Sequence, residues 1–120
     1  MSFLAVAAGG AVGAALRYSI SLIPGKSPFP WQTLVTNILG AILIGFIVGA
    51  ARRKELSPNA VLFLKTGVCG GFTTFSTFSL EAYELFGSGS KPLAVLYVIL
   101  SVCCCIAGVW CGMAAAKTVI

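Results

Sequence analysis

In a chain with no histidine and only Glu55, Glu81 and Glu84 as acids, the densest run of chemically capable residues is Gly70-Gly71-Phe72-Thr73-Thr74-Phe75-Ser76-Thr77-Phe78-Ser79. Paired glycines and β-branched threonines weaken helix formation, so main-chain groups come free there. Converging carbonyl dipoles suit a small hard cation. We therefore expect Na⁺ held by main-chain oxygens near Gly70 and Thr73, against the plainer reading of a glycine hinge that binds nothing. Phe75 and Phe78 follow, three apart on one helical face, with the hydroxyls of Ser76, Thr77 and Ser79 interleaved. A phenyl ring is positive at its edge, so such a pair can line an anion path without a charge that traps the ion. A helix starting there adds free amides and a positive dipole end. The competing reading is ordinary packing of an aromatic pair.

Other polar groups sit where lipid would not welcome them. Asn37 lies beside Gly40 and Ala41 in an apolar stretch, and its amide either donates to a dehydrated anion or pins a neighbouring helix. Tyr97, Ser101 and Cys105 are four apart and form a stripe of hydroxyl and thiol donors. Arg17 needs a partner or a water-filled vestibule at its depth. Lys65 is placed similarly, with a stem long enough to carry its ammonium toward the surface.

The elements that position these groups follow from composition. The chain is 58% hydrophobic and 9% charged, where a soluble domain carries about 25% charge, so lipid is its solvent. Without histidine and with three scattered acids, acid–base catalysis, imidazole metal sites and Ser-His-Asp triads have nothing to draw on, and we expect no enzyme. The net charge of +5 has no basic run beyond Arg52-Arg53-Lys54 and no aromatic-bearing motif, so no nucleic acid partner is expected. The five cysteines fall in apolar segments without CxxC spacing and read as small buried hydrophobes. The N-terminal stretch has no basic region before its apolar run and reads as a spanning helix rather than a signal peptide.

Four apolar stretches, near 3–23, 31–51, 58–86 and 92–116, each reach the ~20 residues a crossing needs. They predict an all-α membrane protein: a single four-helix transmembrane domain over 1–120, set in lipid, with short connections and antiparallel neighbours. The third stretch exceeds a straight crossing and predicts a break at 70–74. Gly70 would lie about 18 Å along it, near the bilayer midplane, where irregular backbone is tolerated only inside protein or beside a cavity. Arg52, Arg53, Lys54 and Lys117 fall on one side, against Lys26 and Lys91 with Arg17 as a third. So weak a bias predicts insertion both ways round and an antiparallel dual-topology homodimer about an in-plane two-fold axis. Glycine steps at Gly9/Gly13, Gly45/Gly49 and Gly108/Gly112 read as close helix packing. Four thin helices enclose too little volume for a wide conduit, so dimerisation is needed.

Three motifs carry a family resemblance: 9–18 (GGAVGAALRY), 33–40 (TLVTNILG) and 70–78 (GGFTTFSTF). Over essentially its whole length the chain resembles the Fluc (CrcB) family of fluoride channels. The resemblance implies an antiparallel homodimer in the inner (plasma) membrane, with two fluoride pores lined by both subunits and a structural Na⁺ at the dimer centre. It assigns the Na⁺ carbonyls to Gly70 and Thr73 and pore contacts to Asn37, Phe75 and Phe78. Tyr97 and Ser101 would continue a polar track, with Cys105 standing where a hydroxyl is expected. Glu81 matches a carboxylate near the pore, and Arg17 a family arginine whose role sequence does not fix. The implied task is passive export of cytoplasmic fluoride, relieving its toxicity. The alternative from another class is a small dual-topology multidrug or cation transporter. Such a transporter needs a membrane-embedded carboxylate that the first helix lacks.

Overall fold

The computed structural model describes residues 1–120 and is all helical. The first helix is Ser2–Ser21, the second Trp31–Arg53 and the last Lys91–Val119. These three are each long and apolar enough to cross a membrane. Between the second and last helices the third segment comes in two halves, 58–72 and Phe75–Gly87.

Local chemistry sets the ends. Ser57 caps the third segment, its Oγ accepting from the Ala60 amide, and Pro58 occupies the first turn where its missing N–H costs nothing. The second helix runs beyond the expected 51 to Arg53, placing Arg52 and Arg53 against its negative dipole end. Lys117 does the same in the last helix, which extends to Val119.

The interruption falls inside the expected 70–74 but is narrower. Gly70 and Gly71 are helical, and only Thr73 and Thr74 are extended, with ψ of 157° and 117°. The reason is packing. A Cβ on Gly71 would lie 2.5 Å from the Gly10 carbonyl oxygen, so this glycine brings two helices together rather than opening a turn. Ahead of it, Leu62–Cys69 winds as a π-helix, which sequence did not announce.

Two tight pairs make the fold. The first helix lies on the first half of the third segment, where a Cβ on Gly13 would overlap the Val68 carbonyl oxygen and one on Gly9 that of Phe63. The second and last helices are joined the same way, Gly45 against Val109 and Gly112 against the Ile42 carbonyl. Since lipid tails are as apolar as leucine, such backbone contact replaces the hydrophobic drive of a soluble core. Only 21 of 120 residues are buried, and Leu39, Ile99, Ile106 and Trp110 face outward, as expected where lipid covers the surface. The cysteines correct an expectation. Cys69 is buried, but Cys103 and Cys111 are exposed along the outer face of the last helix. One small core gathers Phe78, Ala82, Leu85, Ala94 and Tyr97, with Phe29 packed against it.

Candidate functional site

The break is held by side chains that supply the hydrogen bonds its backbone loses. The Thr73 amide still closes on Cys69 O at 3.0 Å, and Thr73 Oγ1 donates to the same oxygen at 2.8 Å. The Thr74 amide, whose helical partner would be Gly70 O, instead donates to Asn37 Oδ1 at 2.8 Å. Asn37 Nδ2 donates back to Thr74 O at 3.1 Å. Asn37 therefore pins the break from the second helix. An amide carries two N–H groups, so one stays uncommitted.

Arg17, whose role sequence left open, donates from Nε to Gly71 O at 3.1 Å. It caps the first half-helix at its C-terminal end, where cationic donors are favoured. Side chains thus take the Gly71 and Thr74 carbonyls, and none donates to the carbonyls of Gly70 and Thr73. Beyond the break, Thr74 Oγ1 accepts from the Thr77 amide at 3.1 Å and starts the second half-helix.

Beside this junction runs a groove of about 460 Å³, lined by Asn37, Thr73, Phe75, Phe78, Ser101 and Cys105 among others. Its walls are mostly apolar. Phe75 is 79% exposed there and Phe78 buried, with ring centroids 5.5 Å apart and planes at 51°. Phe78 is held from behind by Tyr97 at 5.2 Å, and Tyr97 by Phe29 in an edge-on contact. Ser101 is 7% exposed, and its Oγ has no hydrogen-bond partner in the chain. Unpaired buried hydroxyls are rare and costly.

Not every candidate from sequence reaches the groove. Tyr97 is fully buried and donates its hydroxyl to Glu81 Oε1 at 3.1 Å, so the stripe offers the groove Ser101 and Cys105 only. Ser76 and Ser79 are exposed and do not line the groove, Ser79 donating to Phe75 O at 2.9 Å. Thr77 and Arg17 line a second cavity of about 60 Å³, with Ser21, Gln32, Thr33, Thr36 and Thr74 and no hydrophobic residue. Thr74 borders both cavities.

Sequence reading passed over Thr74 as a cap and Thr33 and Thr36 as cavity residues. Their signal was the polar face that Thr33, Thr36 and Asn37 share on the second helix. No group of three or more His, Cys, Asp and Glu is placed to hold a metal, so a cation would be left with main-chain carbonyl, hydroxyl and amide oxygens.

The family model described as CrcB-like protein, Camphor Resistance (CrcB), matches residues 4–113. The chain is 46% identical to the fluoride-specific ion channel FluC of Roseiflexus sp. (strain RS-1), over 98% of each chain. It is 42% identical to that of Elusimicrobium minutum, over 98% of this chain and 95% of the relative. With the protein of the same name from Agrobacterium fabrum it shares 46% identity, over 91% and 90%.

Proposed function

The chain belongs to the CrcB family, and from that premise we propose that it is a fluoride-selective ion channel of the cell membrane that lets fluoride leave the cytoplasm passively. The family is one of ion channels, not of enzymes. The observation that carries the reading is the Ser101 hydroxyl, buried without a partner in a groove it shares with Asn37, Cys105 and the phenylalanine pair.

Fluoride is small and strongly hydrated, so a selective route must replace its water with several weak donors rather than one strong charge. The uncommitted amide hydrogen of Asn37, the Ser101 hydroxyl, the Cys105 thiol and the ring edges of Phe75 and Phe78 supply such donors. Thr77 and Arg17 would line a polar approach. Glu81, engaged by Tyr97, would hold that ring against Phe78. Ser76, Ser79 and Tyr97 would border the path rather than contact the ion. No carboxylate lines the groove, which counts against a proton-coupled drug exporter.

The groove is open along one side, and a second, antiparallel copy would close it. Two copies would form two pores, each lined by both subunits, about a two-fold axis through the breaks. The carbonyls of Gly70 and Thr73 fit a hard cation such as Na⁺. They are oxygen donors that no side chain of the chain has taken, and nothing lies within 4 Å of a Cβ built on Gly70. Two carbonyls are too few to enclose a hard cation, and two copies sharing the ion would bring four to it. Bound there, it would lock the subunits together.

The test is purified protein in liposomes loaded with fluoride, with efflux followed by an ion-selective electrode once a potassium ionophore removes the opposing voltage. Efflux well above protein-free vesicles supports the reading. Efflux no faster than theirs defeats it.

A further inference from the structure

We propose that the Lys65 ammonium is a fixed charge of the fluoride path, drawing the anion toward Phe75 and Phe78 and holding cations back without coordinating the ion. The inference rests on the channel reading above and adds to it the residue that sets its charge selectivity.

Lys65 is the only charged residue lining the groove, among Asn37, Thr73, Phe75, Phe78 and Ser101. No carboxylate lines the groove to neutralise it. The chain's three acids lie elsewhere: Glu55 in the connection before the third segment, Glu81 against Tyr97, and Glu84 exposed on the second half-helix. Lysine inside an apolar segment is expensive and by default marks an ion pathway. The plain alternative is a side chain that escapes to lipid phosphates.

Position explains how such a charge can help rather than trap. Lys65 stands five residues before Gly70, about 7 Å at ordinary helical rise, on the exposed wall of the groove, and its four-carbon stem lets the ammonium stand off from the break, so the charge acts on the ion at a distance. In an antiparallel pair centred between Gly70 and Thr73, residue 65 of one copy also falls level with residue 78 of the other. Each phenyl pair would then have an ammonium at its own depth. A charge at such range raises the local anion concentration and lowers that of cations, yet forms no contact that must break for the ion to leave.

The experiment compares fluoride efflux from liposomes for the wild type, Lys65→Arg, Lys65→Met and Lys65→Glu, at low and high concentration of an impermeant salt, in neutral and in anionic lipid. A unit charge about 10 Å away supports an expectation of at least a threefold loss for Lys65→Met and a larger one for Lys65→Glu. Lys65→Arg should stay within about twofold of wild type, and high salt should slow the wild type but not Lys65→Met. Equal efflux and equal salt response in wild type and Lys65→Met overturns the proposal, as does a loss seen only in anionic lipid, which is the mark of a lipid anchor. Should Lys65→Met fail to assemble, the wild type alone decides, a flat salt response overturning the proposal. A silent wild type defeats the channel reading and this with it; a conducting wild type indifferent to Lys65 defeats this alone.

Discussion

Asn37 and Thr74 are joined by two hydrogen bonds, Thr74 N to Asn37 Oδ1 at 2.8 Å and Asn37 Nδ2 to Thr74 O at 3.1 Å. The pair turns an interruption in a membrane helix into a fixed piece of architecture. Without it, an amide and a carbonyl of the break would face apolar surroundings unpaired. Asn37→Ala should therefore cost about 1–3 kcal/mol, seen as a lower melting temperature in detergent, and should abolish efflux. Asn37→Asp keeps the acceptor for the Thr74 amide but sets a carboxylate against Thr74 O. Efflux should fall at least tenfold, and an unchanged rate would remove Asn37 from the path.

The two phenylalanines should separate by experiment. Phe75 is 79% exposed, so Phe75→Ile should leave the melting temperature within a degree or two while cutting fluoride efflux. Phe78 is buried against Tyr97, so Phe78→Ile should lower both efflux and stability, the latter by about 1–2 kcal/mol. Full efflux from either variant would take that ring out of the pore.

Arg17 reaches 54 residues along the chain to cap Gly71 O. Arg17→Leu leaves that carbonyl unpaired and should cost about 1–2 kcal/mol in melting experiments. Arg17→Lys keeps the charge but not the planar donor, and should recover only part of the loss.

The glycines should sort by space. Gly13→Ala would drive a methyl into the Val68 carbonyl and should prevent stable folding, whereas Gly70→Ala meets nothing within 4 Å and should leave the single chain folded. If Gly70 carries a shared cation site at a close subunit contact, Gly70→Ala should nevertheless weaken the dimer. Replacing Na⁺ by a bulky organic cation should then slow efflux in the wild type, and an indifferent wild type would count against the cation.

Much of this was legible in the sequence because lipid imposes simple rules. Apolar length announced the three long helices, and glycines four apart announced the helix contacts, Gly45 against Val109 among them. The surplus length of the third stretch announced a break. The break occupies only the end of the 70–74 window, since Gly70 and Gly71 read as helix breakers on propensity yet stay helical, and Gly71 lacks a side chain where the first helix packs against it. Propensity is local and cannot see the first helix pressing on Gly71. For the same reason Arg17 had no readable role and Thr74, legible as part of the break, was not legible as the cap of the second half-helix, because a cap is defined by what its neighbours leave unpaired. The stripe of Tyr97, Ser101 and Cys105 was visible by spacing. That Glu81 withdraws Tyr97 from it was not, because the two lie on different helices.

The most direct measurement of the central claim is electrical: the reversal potential of the purified protein in a planar bilayer under a tenfold fluoride gradient. Fluoride selectivity predicts a reversal near 59 mV at the sign expected for an anion, and no shift when equal chloride is added on one side. A reversal near zero, or one that follows the chloride gradient, would contradict it.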